Sequence, residues 1–390
     1  MTTSNPSTTV TPSSLAELRD AVLDRPGSIR IAGAGTAADW AGTPAPADTV
    51  LDTTGLAGIV THNPGDMTVE VWAGTPFAQL REELGEHHQR VAVDPPRAAE
   101  GATLGGLFAT ADAGPRALQY GSLRDLVIGA TVVLADGTVA RSGGHVIKNV
   151  AGYDLTKLLH GAHGTLGVLA RLVLRLHPIP QVTATVAASC ERSAMADLAR
   201  RVADSPVEAT AVQWHRGRLL SLLEGSESGA AARARRLVET LGGDATLLAP
   251  DDAEDAWDAH ATAVRARSDD RAVLRLGVTP SALTGVLDGL DAETGGLAEV
   301  TASPRTGVAT VALPPDADVV DAAHRRVADA GGTSTLRQRP AGAALPAFGP
   351  EPTSAALLRA VATSLDPDQR FGRGRLAPWV PLPEPTGVSA

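Results

Sequence analysis

Residues 28–46 read SIRIAGAGTAADWAGTPAP, and the classification of this stretch decides the fold. The β-branched start at Ile29–Ile31 predicts a strand. Gly33, Gly35 and Ala38 then fall at the GxGxxA spacing of a dinucleotide fingerprint, with Asp52 further on. That fingerprint also needs a helix opening at the turn, so that its N-terminus faces the phosphates. Gly42, Pro44 and Pro46 deny the chain such a helix. The stretch is a strand followed by a glycine loop, not the opening of a doubly wound α/β fold. A glycine loop can still turn successive backbone N–H groups to one side, because glycine lacks Cβ and tolerates positive φ. Such a loop holds a pyrophosphate without any basic side chain.

Working outward, the same half of the chain repeats this texture in GATLGG (101–106), YGSLRD (120–125), NVAGYD (149–154) and HGAHGTLGVL (160–169). No GxxxxGK[ST] segment accompanies them, so a P-loop is excluded. Before the loop, Ser13 or Ser14 caps a helix through Leu15, Leu18, Val22 and Leu23, which Pro26 and Gly27 stop. After it, TVEVWAG predicts a strand and the run from Phe77 to Leu84 a short helix. HQRVAVDPP leads through a strand into a double-proline loop, and TLGGLFATA predicts a helix. DLVIGATVVLADGTVARSG reads as a hairpin turning at Asp136–Gly137. A long strand follows in TLGVLARLVLRLHP. Past Pro180 the composition shifts to alanine-rich amphipathic helices such as MADLARRVAD, interleaved with strands such as RAVLRLGV and VATVAL. The expected division is an unstructured lead over residues 1–12, a first domain over 13–180 and an α+β second domain over 181–345. Residues 346–390 then form a helix and tail that return to the first domain.

With 390 residues and 43% hydrophobic side chains, the chain can bury more than one core. A single cysteine, Cys190, excludes an intramolecular disulfide framework, and no Cys/His cluster offers a zinc or iron–sulfur site. No apolar run approaches the roughly 20 residues of a membrane helix, and the N-terminus lacks the pattern of a signal peptide. A cytoplasmic protein is expected. The formal charge of −10 argues against broad nucleic-acid binding, so an anionic ligand must be held by local geometry.

These motifs together resemble the PCMH-type FAD-binding domain of the vanillyl-alcohol oxidase family, and within it the GlcE-type subunits of bacterial glycolate oxidases. The resemblance runs from about Thr11 to Pro180 and adds the tail LDPDQRFGRGRL. Its most specific pieces are AGPR followed by GSLRD, and KNVAGYDL. It implies an α+β fold, a two-subdomain FAD-binding domain followed by a smaller α+β cap. It further implies that the amides of Ala32, Gly33, Ala34, Gly35 and Thr36 face the FAD phosphates. By the same resemblance Thr103, Gly105 and Gly106 approach the cofactor from a second loop, and Gly121, Ser122 and Asp125 line it. Gly167 and Val168 meet its adenine end, while Pro95, with Pro96, stiffens the loop leading to the flavin. Asn149, Gly152, Tyr153 and Asp154 support the pocket. No histidine lies between Ile31 and Val60, so FAD is expected to be noncovalent.

The resemblance implies flavin-dependent oxidation of glycolate, a 2-hydroxy acid, to glyoxylate. The partners would be a separate catalytic FAD subunit and an iron–sulfur subunit, with any membrane association made through the complex. Two other readings stand beside it: a non-catalytic assembly subunit with a flavin-domain scaffold, or a free-standing FAD-dependent oxidoreductase. The second domain contains only His215, His260 and His324, without ligand spacing, so no metal site and no general base are assigned. His163, beside the glycines of the first domain, is the histidine singled out for testing. The tail departs from the family pattern at Gly372 and Arg373. Arg370, Arg373 and Arg375 are candidates to return to the cofactor or to a substrate carboxylate. The two lysines, Lys148 and Lys157, and the two tyrosines, Tyr120 and Tyr153, all lie in or beside these motifs.

Overall fold

The computed structural model describes residues 7–146, 153–265, 270–296 and 299–382. Lys148, Asn149 and Gly152 lie outside them. The first subdomain is a small parallel sheet of β1 (Thr8–Val10), β2 (Ile29–Ala32) and β3 (Thr49–Asp52), in the order β1-β3-β2. Helix α1 (Leu15–Leu23) starts where Ser14 accepts a hydrogen bond from the Glu17 N–H. It buries Leu18, Ala21 and Val22 in a cluster with Ile29 and Leu51. The expected unstructured lead is corrected over its last part. Thr8–Val10 pairs with Thr49–Leu51, because an edge strand satisfies its backbone in a parallel ladder even without apolar side chains.

The second subdomain collects β4 (Ile59–Asn63), β5 (Thr68–Trp72), β7 (Val127–Val133), β8 (Val139–Gly143) and β9 (Val168–Arg175) into an antiparallel sheet ordered β4-β5-β9-β7-β8. The hairpin turns at Asp136–Gly137, where the Asp136 carboxylate accepts from the Thr138 N–H. Helices α2 (Phe77–Gly85), α3 (Leu104–Ala109) and α5 (Leu123–Leu126) pack Phe77, Leu80, Phe108 and Leu126 onto this sheet. Short helices α4 (Ala117–Tyr120) and α6 (Thr156–Leu159) flank it, and β6 (Gln89–Arg90) pairs with β10 (His177–Pro178).

The cap is one antiparallel sheet of eight strands: β11 (Val182–Ser189), β12 (Ala211–His215), β13 (Arg218–Gly225), β14 (Thr246–Leu247), β15 (Ala272–Gly277), β16 (Glu299–Ser303), β17 (Val308–Leu313) and β18 (Thr333–Gln338). Helices α7 (Met195–Asp204), α8 (Glu227–Leu241), α10 (Leu283–Thr294) and α11 (Ala317–Asp329) cover one face with a core that includes Val212, Leu223, Leu274 and Val311. Because side chains alternate across a strand, the residues between these point the other way. They include Gln213, Glu224, Arg275, Thr310 and Arg337. Helix α9 (Pro250–Arg265) packs beside β16 and against the Pro96–Glu100 turn of the first domain. Helix α12 (Ala355–Leu365) leads into a tail that rejoins the first subdomain, where Phe371 bridges Ile29. Among the described residues no helix is long and apolar enough to cross a membrane.

The two halves are clamped at Glu224 of β13, a carboxylate buried to 8% exposure. Arg90 grips it bidentately at 3.0 and 2.5 Å, Arg116 donates at 2.8 Å and the Tyr120 hydroxyl at 2.9 Å. Arg116 also pairs with Asp94 at 3.1 Å. The AGPR motif and Tyr120 therefore serve the domain junction. Burial alone would raise the Glu224 pKa, but the hydrogen bonds and charges of Arg90 and Arg116 outweigh it and hold the group at about 2. A depressed folded pKa means that the contribution is complete above the ordinary carboxylate value and disappears as pH falls through about 2. Glu224→Ala leaves the mostly buried Arg90 guanidinium without a carboxylate and Arg116 with Asp94 alone, and is expected to cost about 3 kcal/mol at pH 7. In denaturant titrations the gap from the parent should close as the pH is lowered through that window. Equal stabilities at pH 7 would refute the clamp.

Candidate functional site

A cavity of about 540 Å³ opens against the loop that follows β2. Its wall includes every residue from Arg30 to Asp39. The N–H groups of Gly33, Ala34, Gly35, Thr36 and Ala37 donate to no acceptor among the described residues. Five consecutive main-chain donors without a protein acceptor, on exposed or half-buried residues that line a cavity, form an anion cradle. Glycine is required twice here. A Cβ on Gly33 would sit 2.5 Å from the Thr103 hydroxyl, and Gly35 has φ +74°, which L side chains rarely adopt.

The carbonyls of the same loop are held from outside. Arg97 donates to the Thr36 carbonyl at 3.0 Å. Arg375 reaches the carbonyls of Ala38 at 2.6 Å and Trp40 at 2.8 Å, and Arg339 donates to that of Ala41. All three arginines also line the cavity. Burial lowers the Arg375 pKa to about 10, with the positive charge of Arg30 as the next cause, and it is still a cation at neutral pH. Trp40 is stacked between Arg97, 4.5 Å from its ring centre, and Arg337, 3.8 Å away.

The structure brings Ala32, Gly33, Ala34, Gly35, Thr36, Thr103, Gly105, Gly106 and Gly167 to one cavity wall. Thr103 caps α3 by accepting from the Gly106 N–H at 3.2 Å, and the Gly105 N–H donates to the Ala73 carbonyl. The second loop thus supplies a close wall, while its own amides are already paired. Pro95, Gly121, Ser122, Asp125 and Val168 do not line this cavity. Ser122 and Asp125 form the capping box of α5, and a Cβ on Gly121 would meet Asp125. Val168 points into the core, and its neighbour Leu169 takes the cavity face by strand alternation. Pro95 starts the turn whose next residues deliver Arg97.

Of the three tail arginines only Arg375 reaches the cavity. Arg370 donates to the carbonyls of Val22, Arg25, Gly27 and Ala135, and Arg373 to those of Asp368 and Gln369. Lys157 is tied to the Val127 carbonyl and Asp154. Tyr153 is exposed. The cap histidines are buried, each with a polar partner: His215 with Glu299, His260 with Gln213 and His324 with Ser334. His163, by contrast, lines the cavity with φ +52°, a strained backbone for a residue other than glycine. Burial, then the charges of Arg375 and Arg337, lower its pKa to about 3, so it is neutral. The sequence signal for Arg97 and Arg339 was missing, because both act across more than sixty or nearly three hundred residues of chain.

Residues 6–143 match the family described as FAD binding domain. The glycolate oxidase subunit GlcE of Escherichia coli (strain K12) is 34% identical over 195 residues, 50% of this chain and 54% of that one. The mitochondrial D-lactate dehydrogenase (cytochrome) of Arabidopsis thaliana is 43% identical over 116 residues, 30% of this chain and 20% of its own. The matched stretches therefore span about half of the first relative and a fifth of the second. Among solved structures, an alkyldihydroxyacetonephosphate synthase aligns with a TM-score of 0.67 over 93% of this chain and 75% of its own, at 16% identity, a likeness of fold. The fold is α+β of the PCMH type, and FAD is the cofactor. The open amides and missing Cβ atoms fit its pyrophosphate.

Gly35→Val tests the cradle. Its Cβ meets no protein atom within 4 Å, so the cost comes from forcing a β-branched residue to positive φ, about 1 to 2 kcal/mol, as the loop turns its amides away. FAD affinity should fall by about tenfold or more in flavin-fluorescence titrations. Unchanged affinity would remove the loop from the site.

Proposed function

We propose that this chain is the FAD-binding subunit of a glycolate oxidase-type complex that oxidises a 2-hydroxy acid, with glycolate to glyoxylate as the model reaction. The observation that carries the reading is the row of open amides from Gly33 to Ala37 on the wall of a cavity of about 540 Å³. The similarity to GlcE and to D-lactate dehydrogenases supports the substrate class. When bound, FAD accepts the two electrons released as the hydroxyl-bearing carbon becomes a carbonyl. The chain's own residues bind and orient it: loop amides on the phosphates, Thr103 and Gly106 on the adjoining wall, and neutral His163 in the lining. Because no histidine stands in the phosphate loop, the flavin is held noncovalently. The partners in this reading are a catalytic flavoprotein subunit and an iron–sulfur subunit that carries electrons onward.

Purification of the chain alone and together with its partner subunits tests this. The isolated chain should show flavin absorbance, and acid precipitation should release all of the flavin into the supernatant. Anaerobic glycolate should bleach the assembled complex. Bleaching of the chain alone would favour a free-standing oxidoreductase, and a colourless chain that still assembles would favour a scaffold.

A further inference from the structure

A second cavity, about 400 Å³, lies next to the first and shares Thr110 and His163 with it as wall. Its lining combines two chemistries two strand spacings apart, since Arg275 stands opposite Thr335 and Thr335 is bridged to Phe348. At one end Arg275 of β15 and Arg337 of β18 come from paired strands on the inward face of the cap sheet. Arg337 is committed to Asp112, with the ion pair at 3.0 Å and both side chains buried. Arg275 donates to the Thr310 hydroxyl at 2.9 Å and has no carboxylate within salt-bridge distance among the described residues. No acidic residue lines the cavity. Burial brings the Arg275 pKa down to about 9, which leaves it charged at neutral pH. One guanidinium is thus left to be balanced, and a planar fork of donors matches one carboxylate.

The other end is apolar. Phe348, Leu358, Leu376 and Trp379 face the space. Phe348 and Trp379 stack with ring centres 4.4 Å apart, and the Trp379 indole N–H is spent on the Gly349 carbonyl. A two-carbon hydroxy acid displaces only a few waters at about 30 Å³ each, so it would occupy a small part of this volume.

We propose that the second cavity binds a monocarboxylate bearing an apolar substituent, with the carboxylate on Arg275 and the substituent against Phe348, Leu358 and Trp379. The ligand class is an aryl- or branched-alkyl-substituted acid. Glycolate would use the polar end and leave the apolar end unfilled. That this ligand is the substrate rests on the oxidoreductase reading above. Its binding does not, because neither Arg275 nor the apolar end belongs to the FAD cavity.

Isothermal titration of the full chain, with and without added FAD, with acetate, glycolate and phenylacetate tests the site. Phenylacetate should bind at least about tenfold more tightly than either small acid, because only it buries apolar surface. Arg275→Gln should weaken phenylacetate by about tenfold or more through loss of the charge-assisted pair. Leu358→Trp, at a half-buried helix position that lines the cavity, should weaken phenylacetate while leaving acetate unchanged. Equal affinities for the three acids, or phenylacetate binding insensitive to both variants, would overturn the proposal. A chain that retains FAD but gives no phenylacetate heat overturns this inference alone. A chain that binds phenylacetate with these dependences but never FAD overturns the reading of the first cavity alone.

Discussion

The amides from Gly33 to Ala37 stay unpaired in a loop whose peptide units are held through several of their carbonyls. A peptide unit carries its donor and acceptor in opposite directions, so fixing the oxygens aims the N–H groups. The Thr53 hydroxyl on the Ala32 carbonyl, the Ala38 N–H on that of Gly35 and Arg97 on that of Thr36 set the amides of Gly33, Thr36 and Ala37, while Arg339 and Arg375, from beyond β18 and from the tail, hold the carbonyls of Ala38, Trp40 and Ala41 just past the row. This explains how a chain with a formal charge of −10 prepares an anion site. Its guanidiniums are spent largely on main-chain oxygens, and they leave a positive field at the cavity rim as a by-product.

The same requirement governs the path of the chain. The tail has to return to the first subdomain to bring Arg375 to the loop, and it is anchored there by the Phe371–Ile29 bridge and by Arg370 among four carbonyls. The cap has to lie where Arg337 can stack on Trp40 and Arg339 can reach Ala41. On another side it is pinned by the Glu224 clamp to Arg90, Arg116 and Tyr120. Two attachments of this kind leave little freedom between cap and flavin domain, and the second cavity is the space that they enclose.

The cap sheet shows how one strand pattern serves two purposes. Its helix-covered face is the largest apolar cluster among the described residues, while alternate positions turn Glu224, Arg275 and Arg337 towards the flavin domain. The segment RAVLRLGV reads as a strand, with Arg275 between apolar positions. In the folded chain that arginine lies in the interior, because another domain, not water, covers the polar face.

What the sequence determined by itself is local and periodic. The strand and glycine turn at Ile29–Gly35, the Ser14-capped helix, the turn at Asp136–Gly137 and the change of texture after Pro180 all follow from interactions within a few residues. The tertiary structure decided the rest. It buried Val168, drew Thr8–Val10 into a sheet, and brought Arg97, Arg339 and Arg375 onto one loop. Composition and spacing record what a residue can bind. Which residue it meets across hundreds of positions depends on how the sheets pack, and no short-range pattern encodes that.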